Sequence, residues 1–209
     1  CKKQIKINIM ATRGTYQVEG TVLYNHWDNY PQGAACHFLN ILSTQGDFTL
    51  KSFIKCEERV NFSFANSIYD GPAEYFYKLD KKENGEIFVT VYPIIFDEKG
   101  NDKLGNSNTY EMSQFINDRF KKNFTEPEGE DKKEIEDSRV LKTGTTHIRY
   151  ITVKNARKKF LELMAQAQNQ LLNGCKGNAS FTYSQAKDVL TALEDTRQLE
   201  NFEKYFSKI

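Results

Sequence analysis

The sequence lacks most of the features that announce a chemistry. Its four cysteines, at 1, 36, 56 and 175, form no CxxC pair and no metal-ligand spacing, which removes zinc ribbons and dithiol redox motifs. P-loop, dinucleotide-fingerprint, GxSxG, HExxH and EF-hand patterns are all missing, so the common nucleotide, hydrolase, metalloprotease and calcium classes lose their support. There is no excess of charge: 29 basic and 28 acidic residues leave a net +1, which excludes a histone-like polycation and an acidic solvating tail. No apolar run nears the roughly 18–20 residues that a membrane-spanning helix needs, and no secretory leader pattern is visible. A cytoplasmic protein with reduced thiols and no cofactor is therefore the expectation. No period of 20–50 residues repeats.

What is present is enough apolar material for a core, 39% of 209 residues, with aromatics at 13%. Lys outnumbers Arg and Asn is abundant, the codon bias of a low-GC genome. Charge is uneven along the chain. Residues 1–93 carry 10 basic and 10 acidic groups, 94–143 carry 9 and 12, and 144–209 carry 10 and 6. Met10-Ala11-Thr12-Arg13 reads as a start of translation, with residues 1–9 as an extension in which Cys1 is a candidate for lipidation.

Periodicity predicts two β-hairpins. The first runs from Thr12 to Trp27 around Glu19-Gly20, and the second flanks residues 80–85. Between them, Pro31 suits the first turn of a helix over 32–44 with Ala35, Phe38, Leu39 and Leu42 on one face, and Gly46 ends it. Asp47 can cap a second helix over 48–58. Residues 59–68 fit either period, with helix preferred. Residues 97–108 read as a loop, 110–122 as a helix, and 123–143 as a charged linker. A strand over 147–153 and helices over 155–173, from Thr182 or Ser184 to Leu193, and over 195–207 complete the chain. The expectation is an α+β protein: an antiparallel sheet of two hairpins with helices on one face, followed by a mainly helical C-terminal part. The units would be 10–93 (ββααββ), 94–143 (helix plus charged loop) and 144–209 (strand and helices).

The densest chemistry is at the end of the first hairpin, where Asn25-His26-Trp27-Asp28-Asn29-Tyr30-Pro31 precedes Gly33, Cys36 and His37. This stretch resembles a set of short proteins without known activity from bacteria, phages and mobile elements. Their N-termini read Arg-x-Thr-Tyr, then His-Trp-Asp-Gly-Tyr-Pro, then Gly-Ala. The matching residues are Arg13, Thr15, Tyr16, His26, Trp27, Asp28, Tyr30, Pro31, Gly33 and Ala34. Asn29 departs from the usual Gly, and Asn also tolerates a left-handed backbone.

Three readings compete for this patch. A thiol enzyme would use Cys36, its pKa lowered by the helix start, with His26 or His37 as base. Cys36 and His37 are neighbours on a helix and point about 100° apart, so they cannot form the pair by themselves. A metal site would need His26, Asp28 and His37, with only His147 left elsewhere. A structural reading needs the fewest assumptions: Trp27 and Tyr30 pack the hairpin onto the helix, Asp28 makes an Asx turn or caps it, and His26 satisfies backbone carbonyls.

A second feature is the basic run Lys154, Arg157, Lys158 and Lys159 at the start of the long helix, with Arg149 before it. It could hold phosphates or an acidic partner surface, or it could pair with Glu162 and the acidic 126–137 stretch. The leading functional expectation is a non-enzymatic phage or mobile-element protein that binds and inhibits a host protein complex, an anti-defence inhibitor of the anti-CRISPR kind. Trp27, Asp28, Tyr30 and the basic residues are its candidate contacts. The alternatives are a nucleic-acid accessory protein using Arg149 to Lys159, and a thiol enzyme centred on Cys36.

Overall fold

Val18 and Thr21 face each other across a two-residue turn in which Glu19 (φ 50°) and Gly20 (φ 81°) are both left-handed. That twist suits a tight hairpin, and it joins β1 (Gly14–Val18) to β2 (Thr21–Asn25). The structure is a computed structural model and describes residues 12–56, 61–123, 129–145 and 148–206. The start expected at Met10, residues 57–60 and His147 lie outside the described residues, and the second helix ends earlier than expected, at Lys55.

Beyond α1 (Pro31–Gln45) and α2 (Leu50–Lys55), the chain returns through β3 (Ser63–Phe64) to the second hairpin, β4 (Tyr75–Lys81) and β5 (Ile87–Phe96). The sheet order is β3-β2-β1-β4-β5-β6, with β6 (Asp102–Leu104) and β7 (Asn108–Glu111) both on the far edge of β5. One expectation is corrected here. β1 runs parallel to β4, Gly14 beside Tyr75 and Gln17 beside Lys78, so the sheet is mixed rather than antiparallel. β3 occupies the free edge of β2, which leaves β1 to receive β4 from the same end of the sheet.

Three local expectations also change. Residues 63–64 are extended rather than helical, because the alternation at Phe62 and Phe64 prevails: Phe62 packs on Tyr16 and Phe53, while Phe64 is 69% exposed. The 97–108 stretch contains β6 and the start of β7. Asp97 organises the turn between β5 and β6 by accepting the N–H groups of Lys99 and Asn101. Thr49, not Asp47, caps α2, and the Asp47 carboxylate in turn accepts from Thr49 and Ser52.

The first core lies between the sheet and α1. Tyr16, Leu23, Phe38, Ile41, Phe53 and Tyr77 are fully buried. Gly46, left-handed at φ 85°, ends α1 by donating its N–H to the Leu42 carbonyl. α3 (Met112–Phe120), followed by a short 3-10 turn (Lys121–Asn123), adds Met112, Phe115 and Ile116 to the same core. Residue 93 thus lies inside β5, and the first core takes in residues well beyond it.

The charged stretch after 128 is not a linker. It forms α4 (Glu130–Ser138) and β8 (Val140–Lys142), which pairs with β9 (Tyr150–Thr152). α5 (Val153–Leu172), capped by the Thr152 hydroxyl, α6 (Lys176–Ala192) and α7 (Thr196–Phe206) form the helical end. α6 begins before Thr182, whose hydroxyl bonds inside the helical pair to Gln170 and to the Asn178 carbonyl. A second core of Leu163, Ala167, Ala186, Val189, Leu190 and Phe202 sits between these helices. None of the described helices is long and apolar enough to cross a membrane.

Candidate functional site

The turn that ends the first hairpin is built around Asn29, which is fully buried. Its side-chain oxygen accepts the Tyr16 hydroxyl at 2.6 Å. Its amide nitrogen lies 2.8–3.0 Å from the carbonyls of Thr12, Asn25 and Trp27 and from the Asn25 side-chain oxygen. Its backbone N–H donates to Thr12 O at 3.0 Å, and its carbonyl accepts the Tyr77 hydroxyl at 2.6 Å. Burial holds both phenols well above their ordinary pKa, so they act as neutral donors. Two glycines make room for this hub. A Cβ on Gly14 would lie 2.7 Å from Asn29 Cβ, and one on Gly33 would lie 1.9 Å from the Asp28 carbonyl oxygen.

Asn29 is the residue that sequence reasoning missed as a functional element. It was expected to replace Gly at a left-handed position, but the left-handed residue is Asp28, at φ 53°. No local pattern signals it, because its partners include the distant Thr12, Tyr16 and Tyr77.

The hub fixes the backbone of Trp27 on both sides. The Trp27 N–H donates to the Asn25 side chain at 2.9 Å, and the Trp27 carbonyl accepts from Asn29 and from His37 Nε2 at 3.0 Å. Yet Trp27 as a residue is 53% exposed. Trp27 therefore does not pack the hairpin onto α1. That work falls to Tyr16 and Tyr77, stacked at 4.8 Å, and to Phe38. The Trp27 ring instead meets His26 edge to face at 4.5 Å, and His26 Nδ1 lies 3.2 Å from the Tyr24 hydroxyl. The backbone-anchoring histidine is His37, not His26.

Asp28 does not cap α1 either. The cap position is Tyr30, whose side chain makes no capping bond. One Asp28 carboxylate oxygen is buried with no hydrogen-bond partner among the described residues. Its charge acts on Tyr30, Cys36 and His37 at the positive end of α1. Tyr30 is half-buried, and burial, then Asp28, raise its pKa.

Cys36 is half-buried and accepts from Asn123 Nδ2 at 3.1 Å. Burial pushes its thiol up from the ordinary value, the Asn123 bond pulls it back, and Asp28 pushes it up again. The lowering expected from the helix start does not prevail, because desolvation of the thiolate outweighs it. Burial likewise keeps His37 below the ordinary imidazole value, against its bond to Trp27 and the Asp28 charge. Among the described residues, no group of three His, Cys, Asp or Glu side chains is placed to hold a metal.

The basic run stands elsewhere, on α5. Arg157 pairs with Asp137 at 2.9 Å, Lys158 and Lys159 share Glu162, and Lys154 is exposed. Arg149 is mostly buried. It donates to Thr143 O and lies 3.5 Å from Glu86, which also pairs with Lys142. The structure does not bring this run together with the Trp27 turn into one site.

An α+β protein with a mixed sheet and a helical end is what the fold defines. No protein family, no curated protein and no solved structure matches the chain.

Proposed function

We propose that the chain is a non-enzymatic binding protein that engages a host protein complex through the Trp27 turn and inhibits it, in the manner of a mobile-element anti-defence protein. The observation that carries the binding reading is the contrast at Trp27. Its backbone is tied at N–H and carbonyl to a buried network, while the residue as a whole stands half in solvent. Rigid, exposed Trp is the side chain most suited to anchor a protein interface, since little entropy is lost when it is covered. Resemblance of the motif to mobile-element proteins supports the host-directed role. The Cys36 thiol, raised by burial, and the ion-paired Arg157, Lys158 and Lys159 of α5 favour neither alternative.

The test is capture from host lysate with wild-type protein and with Trp27→Ala. The expected result is a stoichiometric protein retained by the wild type and lost by the variant, with both melting alike. Capture of no such protein, or equal capture by both, overturns the reading.

A further inference from the structure

We propose that the corner formed by Trp27 and His26 receives a basic segment of the partner protein, with an arginine or lysine side chain lying against the indole. This rests on the binding reading above and adds the chemistry of what is bound.

Two observations converge. The first is shape. The Trp27 and His26 rings meet at 76°, and His26 meets Tyr24 at 69°, so the His26 ring stands roughly upright against an aromatic ring on either side. The face of an indole carries the negative lobe of its quadrupole and attracts a cation, most often a guanidinium.

The second is charge. The chain has 29 Lys and Arg, yet none lies in residues 14–50 or 61–77. Those residues supply β1, β2, the turn, α1, β3 and the loop that leads into β4. The same stretches hold Asp28, Asp70 and Glu74 toward this end of the sheet. The loop carrying Asp70 lies directly on Tyr24, since a Cβ on Gly71 would sit 2.7 Å from the Tyr24 ring. Glu74 is exposed, and its N–H donates to the Arg13 carbonyl. Among the described residues, the half-exposed Arg13, next before β1, adjoins Glu74 through its carbonyl. An aromatic corner whose own strands and loops carry carboxylates and, over residues 14–50 and 61–77, no Lys or Arg is complementary to positive charge, which would also be drawn in from a distance.

Trp27 is the single tryptophan, so its emission reports this corner and nothing else. The probe is an octa-arginine peptide, with octa-glutamate as the control. The expected result is a saturable change in Trp27 emission with octa-arginine alone, weakened at high salt. The paired variant Asp70→Asn, Glu74→Gln should weaken it by about fivefold, the scale of one exposed cation contact. Asp70→Asn keeps an oxygen for the Asn66 N–H, and Glu74→Gln alone provides a second variant at an exposed position. No saturable change, an equal response to octa-glutamate, or an undiminished response in both variants overturns the proposal. If lysate capture depends on Trp27 while octa-arginine is silent, the inference falls and the binding reading stands. If octa-arginine binds as described and nothing is captured, the reverse holds.

Discussion

At residue 29 a single primary amide organises what would otherwise be several buried, unpaired polar groups. Removing it at Asn29→Ala leaves the Tyr16 hydroxyl without its acceptor and the Asn25 oxygens without one of their donors. A buried polar group left unpaired costs about 1–3 kcal/mol, so this substitution should lower unfolding free energy by about 2–4 kcal/mol. Trp27→Ala removes the ring of a residue that is 53% exposed and leaves every backbone bond of the turn in place, so it should cost under about 1 kcal/mol. Urea denaturation of the two variants beside the wild type checks the order. A larger loss at Trp27 than at Asn29 would mean that the indole, not the amide, holds the turn. The motif itself was legible as a turn before a helix, from Asp28, Pro31 and Gly33. The division of labour inside it was not. The partners of Asn29 come from Thr12, Tyr16 and the distant Tyr77, and no local pattern records them.

Among the elements, α1 is the one that carries the turn, through the His37 bond to the Trp27 carbonyl. His37 is buried, its ring edge meets Phe62, and the groups facing it are Asp28 and the Trp27 backbone. Burial lowers its folded-state pKa below the 6.5 of the unfolded chain. The unfolded state therefore binds more protons in the window below 6.5, and stability falls as pH drops from 6.5 through the folded value, while above 6.5 this contribution is constant. Asp47, Glu86 and Asp97, whose pKa values are also lowered, add to the loss only below their unfolded values, 4.5 at the highest. Denaturation midpoints measured between pH 8 and pH 5 should decline on the acid side, and His37→Gln should flatten that decline. An equal decline in the variant would move the cause away from α1. Element identity was readable where local chemistry decides it: Glu19-Gly20 for the first hairpin, Pro31 and Gly46 for α1. It failed at α4, whose residues are nearly all charged, and at β3, where the same apolar residues satisfy two periods. The parallel pairing of β1 with β4 was also hidden, since it depends on which strand edges remain open after the chain has folded back.

Across the whole molecule, two cores are joined by the β8–β9 ribbon. Val140 and Tyr150 face the first core, while their neighbours Leu141 and Ile151 face the second. The ribbon is fastened to the first core by polar clamps. Asn117 donates to the Val140 carbonyl at 2.9 Å and accepts the Val140 N–H at 2.8 Å, and the Tyr150 hydroxyl accepts the Ile87 N–H at 2.8 Å. On the other side, β9 continues directly into α5, and Asn155 reaches back to the Ser43 carbonyl at the end of α1. Such an arrangement should couple the unfolding of one core to that of the other. Trp27 emission reports the turn that Asn29 ties to the first core, and α5, α6 and α7 supply about half of the helix that far-ultraviolet dichroism reads, so in urea the two signals should change together in the wild type. Asn117→Ala combined with Tyr150→Phe removes the clamps and keeps the apolar rings, including the contact of residue 150 with Phe48. In that double variant the dichroism and the emission should separate into distinct midpoints, because the cores then open as independent cooperative units. Coincident transitions in the double variant would show that apolar packing across the ribbon suffices for the coupling without its hydrogen bonds.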